Sequence, residues 1–190
     1  GSVPVFAADN KGAWEFVSTA VASGSANVSI TGIDSSADTW VINIEGVNVA
    51  TDASYFRMRT SNDTSSHSYD SGSTDYAYRN FGLHSDADYK QYDDDGDAEI
   101  EIGKDPFEHG NDATNSFSAR VYIHAPSNTT YHTLITYEMI SQNSASTPAL
   151  QHYYGGARRN AAEAITAVQF YMSSGNFDTG RFTLLKCNHS

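Results

Sequence analysis

Phe117-Ser118-Ala119-Arg120-Val121-Tyr122-Ile123-His124 places an apolar side chain at every second position, with a polar or amphipathic one between. Such a period of two belongs to a half-buried antiparallel strand, one face on a core and the other toward water. The pattern recurs on both sides of this stretch. Trp40, Ile42 and Ile44 alternate with Val41, Asn43 and Glu45; Phe56 and Met58 alternate with Arg57 and Arg59; Val168, Phe170 and Met172 alternate with Gln169, Tyr171 and Ser173. Turn-forming clusters lie between, among them Asp34-Ser35-Ser36-Ala37-Asp38 and Ser173-Ser174-Gly175-Asn176. The segments 14–22, 26–33, 39–49, 55–60, 76–83, 97–102, 116–124, 131–141, 150–154, 165–173 and 181–187 read as strands, with 97–102 and 150–154 carrying the weakest pattern. Ala157–Ala164 has the composition of a helical turn, and the polar stretch 61–75 reads as a long exposed loop. Many short strands at this spacing indicate a single all-β domain over 3–190, an antiparallel jelly-roll-like β-sandwich whose first and last strands can pair.

Composition agrees and narrows the function. Ser and Thr supply 40 of the 190 residues, while only 4 Lys and 7 Glu occur, so strong helix formers are scarce. A net charge of −12 argues against nucleic acid and against an anionic membrane surface as partners. No apolar run of about 18 residues is present to insert into a membrane, and no basic-then-apolar leader opens the chain. Gly1-Ser2 in place of Met reads as a cloning scar or a processed end. Cys187 is the single cysteine, which excludes an internal disulfide and a cysteine-based zinc site.

The densest charge is Asp93-Asp94-Asp95-Gly96-Asp97, with Asp86 and Asp88 before it and Glu99 and Glu101 after. Its spacing is not that of an EF-hand, but Asp93, Asp95 and Asp97 offer the oxygen ligands calcium requires; the alternative is a solvated acidic loop. Seven histidines lie scattered without zinc-enzyme spacing, and only His124 and His132 flank a turn closely enough to meet across a hairpin. No nucleophile elbow, phosphate loop or dinucleotide fingerprint occurs, so an enzyme is not expected. Four Asn-x-Ser/Thr sequences, at Asn27, Asn62, Asn128 and Asn188, match the frequency of Ser and Thr.

Binding is better supported. Gln151–Asn160 joins aromatic rings, amides and the one adjacent arginine pair: Tyr153 and Tyr154 offer faces for sugar rings, while Arg158, Arg159 and Asn160 offer donors for hydroxyls or carboxylates. The other reading is a loop whose tyrosines cap the sandwich and whose arginines pair with acids. Tyr69, Tyr76 and Tyr78 form a second, weaker patch.

The segment 164–186, and above all Ser173-Ser174-Gly175-Asn176-Phe177-Asp178-Thr179-Gly180, is similar to the closing hairpin of β-sandwich domains in tailed-bacteriophage structural proteins. Trp14–Thr19, Asp38–Ile44 and Tyr55–Arg59 with Tyr76-Ala77-Tyr78 resemble other strands of the same domains. One departure is the ending Leu184-Leu185-Lys186-Cys187, where that family reads Leu-Tyr-Gly. The resemblance implies a virion protein: a tail-fibre or head-fibre domain that contacts host surface glycans without covalent chemistry, or a decoration domain that clamps other virion proteins. It also implies a homo-oligomer, most often a trimer. A monomeric carbohydrate-binding module of a secreted enzyme is the alternative, and a β-sandwich glycan lyase or esterase is a more distant one.

Overall fold

The computed structural model describes residues 13–84, 88–104, 107–144 and 149–187. Gly1, Ser2, Asp86, Asn188 and His189, singled out above, lie outside them. Among the described residues twelve strands run β1 Trp14–Ser25, β2 Asn27–Thr31, β3 Thr39–Val49, β4 Phe56–Ser61, β5 Tyr76–Leu83, β6 Tyr89–Asp97, β7 Ile100–Glu101, β8 Phe117–His124, β9 Leu134–Gln142, β10 Leu150–Arg159, β11 Ala167–Met172 and β12 Phe177–Cys187. Every pairing is antiparallel. They form an eight-stranded sheet in the order β1-β12-β3-β8-β9-β10-β5-β6 and a four-stranded sheet in the order β2-β11-β4-β7. The first and last strands pair as expected.

The two sheets face each other across one core. Phe56 of β4 stacks on Phe170 of β11 and meets Phe117 of β8 at 4.9 Å, and Phe170 lies 5.6 Å from Phe182 of β12. Strand alternation supplies this directly: Trp40, Ile42 and Ile44, then Phe117, Ala119, Val121 and Ile123, are buried on the inward side. The Ser173–Gly180 turn works as its sequence implies. Phe177 is fully buried and Gly175 sits at φ 74°, where a Cβ would lie 2.1 Å from Thr51 Oγ1. Asn176 is not in the left-handed region, so glycine alone makes that bend.

Two expectations are corrected. The acidic stretch is not a loop: Tyr89–Asp97 is an edge strand paired with β5. The helical turn at 157–164 is absent, because β10 continues to Arg159.

On the segment that joins β7 to β8 lies a buried histidine. His109 bridges Ser54 and stacks on Phe117 at 4.6 Å; its Nε2 lies 3.3 Å from the Tyr153 hydroxyl, and Nδ1 has no partner among the described residues. Burial pulls its pKa down to about 3 from 6.5. The unfolded chain therefore binds a proton that the fold does not, between roughly pH 6.5 and pH 3. Stability is full above that window and is lost as pH falls through it, at up to about 1.4 kcal/mol per unit. His109→Phe is expected to flatten the pH dependence of the urea midpoint over that range.

Candidate functional site: the outer face of the large sheet

The segment 151–160 is not a loop. β10 is an interior strand hydrogen-bonded to β9 and β5, so its side chains must divide between core and solvent. Gln151, Tyr153, Ala157 and Arg159 point inward and are buried; Leu150, His152, Tyr154 and Arg158 point outward and are exposed. The candidate set is split accordingly. Tyr153 is wholly buried against Phe107, and burial drives its phenol well above its ordinary pKa. It is a core residue and no ligand contact.

Arg159 is a clamp. Its guanidinium reaches Asp75 (2.9 Å), Glu163 (2.8 Å) and Asp70 (3.3 Å), donates to the Asp75 carbonyl, and lies over the Tyr76 ring at 5.5 Å. It thereby ties the end of the 61–75 loop to β10. Burial raises the Asp70 carboxyl above its usual range although Arg159 lies beside it. Asn160 serves the same junction, donating to the carbonyls of Thr74 and Asp95. Of the five expected contact residues, Tyr154 and Arg158 remain open to a ligand. The tyrosine patch is corrected as well, since Tyr76 and Tyr78 are buried.

The acidic residues are divided between two partners. Asp93 and Asp95 lie on Arg79, at 3.7 and 2.6 Å, while Asp97 accepts from the Tyr78 hydroxyl at 2.8 Å. Among the described residues no three acidic, histidine or cysteine side chains converge to hold a metal. His124 and His132 do not meet across their hairpin: His124 pairs with Leu134, and its Nε2 lies 3.0 Å from the Thr136 hydroxyl.

What the outward residues form is visible from the register. One row crosses all eight strands: Phe16, Leu185, Val41, Tyr122, Thr136, Gly156, Arg79, Asp93. A second, parallel to it, reads Thr19, Thr183, Asn43, Arg120, Glu138, Tyr154, Phe81, Gln91. At the β1 end the surface is aromatic. Trp14 and Tyr122 come from strands on either side of β12 and β3, yet their rings are 6.3 Å apart, so they meet over those strands; Val41 beneath is only 3% exposed. Tyr122 in turn is parallel to the His124 ring.

Several hollows interrupt this face, and two of them border the candidate residues. One, of about 410 Å³, opens over Gly156 between Leu134, Thr136, Arg158, Arg79 and Asp95. The other, of about 620 Å³, lies among Asn43, Arg120, Glu138, Ile140, Leu150 and His152, with His152 Nε2 3.0 Å from Glu138 Oε1. Sequence reasoning missed Trp14, Tyr122, Arg120, His152 and Arg79 as members of one surface. The signal was there in the phase of each strand, but strand order was needed to assemble it.

No known protein family matches the chain, and no curated protein does. Among solved structures, an alginate lyase, vAL-1 from a Chlorella virus, is similar at 10% identity over 91% of this chain and 88% of that chain, with a TM-score of 0.27. Likeness at that level assigns neither fold family nor activity.

Proposed function

We propose that this chain is a non-enzymatic recognition domain of a tailed-phage virion, a jelly-roll-like sandwich that contacts host glycans with the outer face of its large sheet. The virion setting and a trimeric assembly rest on the resemblance of the Ser173–Gly180 hairpin and its neighbouring strands. The glycan reading rests on one structural observation: the outward face carries Trp14, Tyr122 and Tyr154 beside Arg120, Arg158 and His152. Aromatic faces for sugar C–H surfaces and planar donors for hydroxyls are the two elements such binding needs. A rigid sheet holds them in fixed positions, so little side-chain ordering is lost on contact. Weak single contacts then gain strength through repeated copies.

Tyr153 and His109 are both enclosed, so no substrate reaches them. A second reading, cleavage of a glycan, is favoured only by the Glu138–His152 pair in the larger hollow, where Arg120 stands beside it. One experiment separates the two. The intact protein is screened against an array of neutral and acidic oligosaccharides, and the best binder is then incubated with it and checked for new chain ends. Retained affinity with an unchanged ligand supports recognition, and Tyr154→Ala and Trp14→Ala should each weaken it by about tenfold. Product formation that His152→Ala abolishes would replace recognition with catalysis. No binding to any glycan would leave a decoration role as the better account.

A further inference from the structure

Gly156 is the floor of the smaller hollow, and the absence of a side chain there creates the hollow. Along its row the neighbours step from Tyr122 through Thr136 to bare backbone and up again to Arg79. Along its own strand it lies between the outward Tyr154 and Arg158. Folding does not require glycine at this position: its φ is not left-handed, and a Cβ would meet nothing closer than the Ile135 carbonyl at 3.7 Å. The adjacent Gly155 is the opposite case, with its Cβ position blocked at 2.3 Å by Asn80 Oδ1. An outward glycine on an interior strand sacrifices strand propensity and offers in return a place where a bound group approaches the backbone.

The rim decides which group. Arg158 is exposed, and among the described residues its hydrogen bond is the one Nε donates to Asn160 Oδ1, with no bond from its terminal nitrogens. Arg79 stands across the floor with its side chain about half exposed; its Nη1 donates to the Tyr78 and Asp94 carbonyls, which fix the guanidinium at the rim, while its pairs with Asp93 and Asp95 are solvent-accessible and exchangeable. Thr136 supplies a hydroxyl held by His124, and Asp95 an acceptor. A chain with a net charge of −12 thus places two guanidinium groups on either side of one open backbone floor.

We propose that the Gly156 hollow binds a carboxylate-bearing sugar of an acidic glycan. The carboxylate lies between Arg158 and Arg79, as planar guanidinium groups favour. Ring hydroxyls donate to Asp95 and Thr136, and the continuing glycan chain lies toward the Tyr122–Trp14 platform. This rests on the glycan reading above and names its ligand class.

The test uses oligosaccharides containing uronic or sialic acid, each paired with its carboxyl-reduced neutral counterpart, and measures binding by titration calorimetry at low and moderate salt. Acidic members are expected to bind at least tenfold more tightly than their reduced counterparts, with affinity falling as salt rises. Gly156→Val, which fills the hollow with a residue suited to a strand, should abolish that binding at an unchanged melting temperature. Arg158→Gln should remove the preference for the acid while leaving residual binding. Equal affinity for acidic and reduced sugars, or full affinity in Gly156→Val, overturns the proposal and leaves glycan recognition standing. Silence toward every sugar, neutral and acidic, overturns both.

Discussion

Replacing Gly155 with alanine is expected to cost more than about 3 kcal/mol and to deplete soluble protein, while alanine at Gly156 leaves stability within about 0.5 kcal/mol. The two positions are neighbours on β10 and differ only in the side of the sheet they face. At Gly155 a methyl group would sit 2.3 Å from Asn80 Oδ1, 2.5 Å from the Arg79 carbonyl and 2.6 Å from Tyr137 Cε2. One of these is backbone in the adjacent strand and cannot rotate aside. The others belong to a buried network in which the Tyr137 hydroxyl donates to Asn80, and Asn80 donates in turn to the Glu101 carbonyl. Relief of the clash must therefore move β5 or break buried hydrogen bonds, and either is costly in an interior that lacks water to replace them. Urea denaturation of the two variants side by side checks this. Equal midpoints would show that β10 does not pack between β9 and β5 as described.

Arg159→Ala is the second large effect, at about 3 kcal/mol. The side chain is 8% exposed, and it is the shared counter-charge of Asp70, Asp75 and Glu163, each about a quarter exposed. Without it three carboxylates face one another around an apolar stem-sized void, and the 61–75 loop loses its attachment to β10. Arg159→Lys should recover only part of the loss, because one ammonium cannot match three acceptors in the plane of a guanidinium. Arg158→Ala, one residue earlier and outward, should change the melting temperature little. Thermal melts near neutral pH, with limited proteolysis to report cutting within 61–75, measure both consequences. A stable, uncut Arg159→Ala would return that residue to the list of ligand contacts.

Much of the fold could be read from alternation alone. Strands 39–49 and 76–83 end where their patterns end, and the pairing of the chain's two terminal strands follows from the fold class. The failures have physical causes. Tyr89–Asp97 has low strand propensity, with three aspartates in succession, and holds its conformation because it borrows a ladder from β5 and, as an edge, has only one neighbour to satisfy. The pair Gly155-Gly156 signals a loop to any local reading; one of these glycines is demanded by Asn80 and Tyr137, some 75 and 18 residues distant in sequence. The binding surface suffered most. In Tyr153-Tyr154 and Arg158-Arg159 one member of each pair must be buried if the segment is a strand, and the sequence does not state the phase. Packing of Tyr153 on Phe107 sets it, and with it the division between core and contact surface.

The two margins of the large sheet are chemically unlike. β6 carries Asp93, Asp94, Asp95 and Asp97, with Asp93 and Asp95 exposed, whereas β1, twelve residues long, carries a single acid at Glu15 and no lysine or proline. Mutual repulsion disfavours a further strand at the first margin; at the second, the described residues offer only the register shift between Phe16 and Ser18 and no comparable charge. Growth by strand addition to this sheet is therefore one-sided. Two copies joined β1 to β1 would present aspartates at both outer margins, and growth would stop there rather than run on into an endless ribbon.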